Sequence, residues 1–283
     1  MSTKHFAVIG HPIGHTMSPF IHAELFRLNS IDGEYSIVDI SPDALDIEIP
    51  RLLGKLDGFN VTIPYKSSVI PFLDSVEGIA KEYGSVNTVR CSDRSGRTTD
   101  PTGFVRALSA AGIPLLGNVA VLGAGGVCRV FAGEAARAGC EVTFGVLESD
   151  IPSAEKIIAD IRDYHPDFSA KVVKIAELQG EFDLLVNATP VGMYPKVGNM
   201  PVGKNLLKGC KAVFDAVYNP ENTALIKAAR ECGCKTQGGM PMLVWQAAAA
   251  QEIWLGVEFD PDEVVKVISA ATEYMNRHFT TNQ

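Results

Sequence analysis

Four stretches of this 283-residue chain combine residue types and spacings that suit chemistry. Gly123-Ala124-Gly125-Gly126 follows the apolar run Asn118–Leu122 and opens a segment that reads as helix from Val127 to Ala138. In that setting glycine lets the chain turn tightly. It also lets the helix N–H groups and the helix dipole face a pyrophosphate. The spacing is GxGGxx, with Cys128 where a GxGxxG fingerprint has its third glycine. We read it as a dinucleotide-binding turn; the alternative is a tight turn without a ligand. The other three stretches are Gly10–Pro19, Gly58–Lys66, and Gly84–Thr88 with Thr99-Asp100. Each sets hydroxyl or amide side chains at the end of a short apolar strand, where ligands gather in open α/β sheets.

The strand after the glycine loop ends in Val146-Leu147-Glu148-Ser149-Asp150. A carboxylate about 20 residues past the loop accepts hydrogen bonds from the adenosine ribose, whereas an arginine there accommodates a 2′-phosphate. Carboxylates without an arginine lean to NAD. The competing reading makes Glu148 and Asp150 a solvated loop, with Asp150 and Ser153 at the start of the next helix.

The elements that must hold these stretches are legible as a rhythm. Phe6–Ile9 is a strand ending at Gly10, and Pro19–Leu28 has a helical apolar face. Tyr35–Ile40, Asp57–Thr62 and Ser85–Arg90 read as strands, the second stopping at Pro64. Near Gly103 a second unit opens. It has strands at Asn118–Leu122, Glu141–Leu147, Asp183–Asn187 and Ala212–Val217, with helices at Val127–Ala138 and Ser153–Tyr164. This is the βαβ pattern of a nucleotide-binding half. From Met242 to Phe279 the chain reads as mostly helical. The expected fold is α/β in two domains. An N-terminal α/β domain with a mainly parallel sheet takes residues 1–102 plus 243–283. A Rossmann domain takes residues 103–242.

Composition narrows the function classes. Hydrophobic residues make up 46% and charged residues 20%, which suits a packed core. The net charge is −8 and no basic run is present, so a phosphate-binding nucleic-acid surface is not expected. The uncharged run Ala107–Cys128 holds glycines and Pro114 and reads as turn, strand and loop, not as a membrane span. The six cysteines include a CxC pair, Cys232 and Cys234, but no zinc-ligand spacing, and they read as reduced thiols. His11, His15 and His22 lack a carboxylate to complete a metal set, so no metal is expected. Trp245 and Trp254 read as helix packing. We expect a soluble, cytoplasmic protein with no nucleic-acid or membrane partner, as a monomer or homodimer.

The stretches GHPIGHTMSPFIH, GFNVTIPYK, GSVNT, GRTTDPTGF, GAGGVCR, NATPVGM, DAVYNP and GGMPMLVWQAA occur in this order over nearly the whole chain. In them the chain resembles the shikimate dehydrogenase family, which includes the quinate/shikimate dehydrogenases. The resemblance implies a catalytic domain and a Rossmann cofactor domain with a cleft between them. It implies nicotinamide-dependent, reversible oxidation of shikimate to 3-dehydroshikimate. Carried over by motif, Lys66 and Asp100 are the catalytic pair. Lys66 handles the hydroxyl proton and Asp100 is coupled to it; without the motif, Lys66 reads as a solvated lysine after a proline turn. The resemblance makes Thr16 and Ser18 the carboxylate binders, and Thr62, Asn87 and Gln246 the ring-hydroxyl binders. Tyr218 is a further substrate contact. Neutral hydroxyls and amides suit a polyol, each of whose hydroxyls both donates and accepts. The candidate cofactor positions are Gly123, Ala124, Gly125, Gly126, Glu148, Thr189 and Gly239. Arg129 is placed to approach the cofactor phosphates or to balance local charge.

Three departures from the family pattern stand out. Val146-Leu147-Glu148 replaces Asn-Arg-Thr, removing the 2′-phosphate arginine and favouring NAD over NADP. Gly96-Arg97-Thr98-Thr99-Asp100-Pro101 replaces Gly-Tyr-Asn-Thr-Asp-Gly, and Pro101 stiffens the link into the second domain. Thr16 stands where serine is usual. The alternatives are an NAD-preferring quinate/shikimate (or related cyclitol carboxylate) dehydrogenase and, in another class, a dinucleotide-binding regulatory protein without turnover.

Overall fold

The computed structural model describes residues 3–14 and 16–279, so His15 lies outside the described residues. It divides into two units. The first holds the chain up to Thr102 together with Val244–Ala271, and the second holds Gly103–Leu243 together with the chain from Thr272. The sequence reading kept the whole C-terminal segment with the first domain; from Thr272 onward it groups with the second.

In the first unit the strands are β1 (Lys4–Gly10), β2 (Gly33–Asp39), β3 (Gly58–Val61), β4 (Ser75–Val76), β5 (Thr88–Arg90) and β6 (Ser95–Arg97). They form one sheet in the order β2-β1-β3-β5-β6-β4. β1 pairs in parallel with β2 and β3, while β5 runs antiparallel to β3 and β6. The apolar run Phe6–Ile9 is buried on both faces, as a central strand requires. Helices α1 (Ser18–Leu28), α2 (Leu45–Leu53) and the short α3 (Ala80–Tyr83) connect the strands. α2 has no counterpart in the sequence reading, because Pro50 interrupts its pattern.

Helix α4 (Asp100–Ala110) begins on Asp100 itself. Pro101 therefore sits in the first helical turn, where a missing N–H is harmless. The second unit continues through β7 (Asn118–Leu122), α5 (Gly126–Arg137), β8 (Glu141–Val146), α6 (Ile151–Arg162), β9 (Ala170–Lys174) and β10 (Phe182–Asn187). Then follow α7 (Lys204–Leu207), β11 (Cys210–Asp215), α8 (Ala224–Glu231) and β12 (Lys235–Gln237). The sheet order is β12-β11-β10-β7-β8-β9, with parallel pairing throughout. The order reverses between β7 and β10, and such a switch point opens a ligand crevice beyond the carboxyl ends of the strands. Phe104, Phe131 and Phe214 pack together under this sheet, with centroids 4.5–5.6 Å apart.

Helix α9 (Met240–Leu255) is followed by α10 (Pro261–His278). The part of α9 from Val244 locks into the first unit. The Trp254 ring stacks on Phe6 at 4.7 Å, and its Nε1 donates to the Val89 carbonyl at 2.9 Å. Gly58 makes room for it: a Cβ there would lie 2.5 Å from Trp254 Nε1. Among the described residues no helix is long and apolar enough to cross a membrane. The thiols of Cys91, Cys128 and Cys210 are pushed up to about 12 by burial, which leaves them chemically quiet.

Candidate active site

The carboxyl ends of the first sheet bring together residues that lie far apart in sequence. Lys66 follows the β3 strand end and Asp100 follows β6. Lys66 Nζ donates to Asp100 Oδ2 at 2.5 Å. The carboxylate is buried, with 7% of the side chain exposed, while Lys66 keeps 31% exposure. Asn87 completes the constellation: its Nδ2 donates to Asp100 Oδ1 at 2.9 Å and to Thr99 Oγ1 at 3.0 Å. The Asn87 Oδ1 in turn accepts from the Thr99 backbone N–H at 2.8 Å and from Thr88 Oγ1 at 2.9 Å. Backbone pairing fixes the pieces. The Val86 N–H donates to the Lys66 carbonyl at 2.7 Å, and the Asn87 N–H to the Arg97 carbonyl at 3.0 Å.

The hydroxyl pair sits at the start of α1. Thr16 Oγ1 donates to Ser18 Oγ at 3.0 Å and accepts from the Ser18 N–H at 3.2 Å. A partly buried polar chain, absent from the sequence reading, joins this pair to Asn87. The Tyr35 hydroxyl bonds Ser18 and donates to Asn60 Oδ1 at 2.7 Å. Asn60 Nδ2 then donates to the Asn87 carbonyl and to Thr88 Oγ1, each at 3.1 Å. His22 stacks on Tyr35 at 4.0 Å and bonds Asn60. Gln251 Nε2 donates to the His22 carbonyl at 3.0 Å. Burial pushes the His22 imidazole down to about 3, so it is neutral and structural. Asn60 was the available signal, a polar residue inside the apolar strand Gly58–Val61.

Thr62, half-buried, leaves β3 beside Gly10, whose missing Cβ would lie 2.6 Å from Thr62 Cγ2. His11 is engaged locally: its Nδ1 lies 2.7 Å from Asp39 Oδ1, and this bond holds the Asp39 carboxyl below the usual range. Gln246 is half-buried on the part of α9 that belongs to the first unit. Tyr218 belongs to the second unit, just past β11, where burial raises its phenol.

In the second unit the glycine loop offers a cradle for a dinucleotide. Gly125 caps α5 with no side-chain cap bond, and the first turn carries no acidic residue. A Cβ added to Gly125 or Gly126 would meet nothing within 4 Å, so the backbone there is open to an approaching phosphate. Gly123 differs. Its φ of +101° and the Thr189 Cγ2 only 3.0 Å from an added Cβ make it a conformational requirement. Thr189 is held at the β10 end by its Oγ1–H donating to Asn187 Oδ1 at 2.7 Å. Asn187 donates to the buried Asp215, which also accepts from Thr223 Oγ1 at 2.6 Å. Burial raises the Asp215 carboxyl. This buried network braces two strand ends and was not read from the sequence. Gly239 packs its backbone on Ala216, where a Cβ would lie 2.3 Å from the carbonyl oxygen, so a packing constraint alone accounts for the glycine.

Two charged residues near the loop have partners. The Arg129 guanidinium pairs with Asp160 on α6. Glu148 is solvent-facing but not alone: Lys174 Nζ donates to its Oε1 at 2.7 Å. The loop geometry therefore fits a dinucleotide phosphate.

Comparison with known proteins agrees with this fold. Residues 8–89 match the family model for the shikimate dehydrogenase substrate binding domain. A protein of Caldanaerobacter subterraneus subsp. tengcongensis named shikimate dehydrogenase (NADP(+)) is 37% identical over 276 residues, 94% of this chain and 97% of that protein. The Thermus thermophilus shikimate 5-dehydrogenase, solved with NADP(H) and shikimate, is 34% identical with a TM-score of 0.83, covering 95% of this chain and 100% of the other. The Listeria monocytogenes shikimate 5-dehydrogenase, solved with shikimate and NAD, is 31% identical with a TM-score of 0.84, covering 94% and 96%.

Proposed function

Because the chain belongs to the shikimate dehydrogenase family, we propose that it catalyses the reversible oxidation of the ring hydroxyl of shikimate to 3-dehydroshikimate, with Lys66 and Asp100 handling the proton. The observation that carries this reading is the Lys66–Asp100–Asn87 constellation. The oxidation removes a hydride from the carbinol carbon and a proton from its oxygen. The nicotinamide, when bound, supplies the hydride acceptor. The proton falls to the protein. In this mechanism a proton of the Lys66 ammonium moves along the contact onto Asp100 Oδ2 and frees the Nζ lone pair to accept the hydroxyl proton, and the reverse steps serve reduction. Asn87 orients the carboxylate, and the Thr16–Ser18 pair supplies hydroxyls for the substrate carboxylate. Thr62, Gln246 and Tyr218 are the remaining candidate substrate contacts.

The chain is a nicotinamide-dependent oxidoreductase. For the dinucleotide, names of relatives lean to NADP, whereas the acidic Glu148 segment alone leans to NAD. The Lys174 partner weakens the second argument, because it neutralises the carboxylate that would repel a 2′-phosphate. We therefore assign NADP as an accepted dinucleotide and do not retain the preference for NAD. Initial rates with shikimate and quinate, each with NADP and NAD, test the assignment. Turnover of shikimate that disappears in Lys66→Ala supports it, and full turnover in that variant contradicts it.

A further inference from the structure

We propose that Lys174, on the edge strand β9, is the cation that recognises the phosphate on the adenosine 2′-oxygen, and that Glu148 holds it when that phosphate is absent. The inference rests on the reading of the second unit as a dinucleotide site. β8 and β9 run in parallel, with Val146 opposite Lys174. Their ends therefore leave the sheet at the same edge as the glycine loop, whose Gly123 N–H donates to the Gly145 carbonyl. In this fold a carboxylate about 20 residues past the glycine loop bonds the adenosine ribose, and here Glu148, two residues beyond the end of β8, takes that place. Its carboxylate is 77% exposed and the Lys174 side chain 41% exposed. A surface pair of this kind is held weakly. A phosphate dianion carries more charge than one carboxylate and draws the ammonium away from it. The four-carbon stem of lysine permits the swing. Arg129 is a poorer candidate, since its guanidinium is committed to Asp160 and only 24% exposed.

The pair thus works in two states. Without a 2′-phosphate, Lys174 neutralises Glu148 and leaves the second carboxylate oxygen to accept from a ribose hydroxyl. With a 2′-phosphate, Lys174 moves onto it and offsets the repulsion from Glu148. Both dinucleotides are accommodated, and removing either partner shifts the choice in a known direction.

The test is calorimetric binding of NADP and NAD to the full chain, wild type against Lys174→Met and Glu148→Gln, with kcat/KM for each dinucleotide beside it. Lys174→Met is expected to weaken NADP by about tenfold or more while NAD changes by less than about threefold. Glu148→Gln is expected to tighten NADP and weaken NAD, each by about three- to tenfold. The wild-type affinity for NADP falls more steeply with salt than that of Lys174→Met. Equal losses for both dinucleotides in Lys174→Met, or none, overturn the assignment to Lys174. If wild type binds neither, the dinucleotide reading itself fails, and this inference falls with it.

Discussion

Replacing Asp100 by asparagine separates chemistry from architecture. The carboxylate accepts from Lys66 Nζ with one oxygen and from Asn87 Nδ2 with the other. An amide of the same shape has one acceptor oxygen and one NH2, so it faces one of the two donors with hydrogens. Asn87 Nδ2 retains Thr99 Oγ1 at 3.0 Å, and Lys66 is exposed enough to reach water. The fold therefore loses about 1–3 kcal/mol, the scale of one bond to a charged group. Turnover loses far more, because the proton-sharing partner of Nζ is gone. A positioned acid–base group contributes about 10²- to 10⁴-fold, so kcat for shikimate oxidation should fall by that factor. That is about 2.7–5.4 kcal/mol of barrier at about 1.36 kcal/mol per decade. The affinity for NADP should stay within about threefold, since the residues assigned to it lie in the second unit. Lys66→Ala should cost a similar factor, and the double variant little more than the worse single one, because residues that act as a unit are not additive. Steady-state rates with calorimetric Tm values decide the matter. A kcat within threefold of wild type, or additive losses in the double variant, would refute the coupled-pair mechanism.

Other outcomes follow from the same contacts. The neutral, buried His22 titrates at about 3 in the fold and near 6.5 when unfolded, so its contribution is intact above pH 6.5 and declines as pH falls toward 3. At pH 5 this amounts to about 2 kcal/mol, and urea titrations of His22→Phe should show a stability profile flatter by that amount between pH 7 and 5. Gly123→Ala should cost about 1–3 kcal/mol in urea unfolding, because the residue sits at φ +101° against Thr189. Gly125→Ala, with open space around its Cβ, should leave unfolding unchanged within about 0.5 kcal/mol and weaken dinucleotide binding instead. Gly58→Ala forces Trp254 off Phe6 and should lower stability by about 1–3 kcal/mol, with a shift in tryptophan emission as its signature.

The parts of this molecule that were legible in the sequence are those in which local chain geometry and ligand chemistry coincide. The glycine loop is one, since strand, tight turn and helix start must be contiguous to cradle a phosphate. The apolar strands Phe6–Ile9 and Asn118–Leu122 are others, because burial on both faces leaves no polar alternation to confuse them. The Lys66–Asp100 contact was legible only through motif resemblance. Nothing in the residues around Lys66 indicates a carboxylate 34 positions away; the antiparallel turn from β5 to β6 brings it there. The brace Asn187–Asp215–Thr223 was missed for a related reason. Asn187 and Asp215 look like turn residues at their own strand ends and Thr223 like a helix cap, and only parallel pairing of β10 with β11 sets the first two side by side within reach of the third.

The acidic segment after β8 shows where reading charge along a chain misleads. Carboxylates at 148 and 150 with no arginine read as a site that repels a 2′-phosphate. The repulsion a ligand meets depends on the sum of charges within a few ångströms, and most of those neighbours come from adjacent strands. Here the neighbour is β9, a short edge strand of sequence Ala-Lys-Val-Val-Lys without the apolar density that announces a central strand. Missing that strand meant missing its terminal lysine, and with it the neutral pair. The error was not in the physics of carboxylate against phosphate but in taking Glu148 without its partner. Dinucleotide choice on a parallel sheet is therefore better judged from the ends of two adjacent strands together than from the second strand alone.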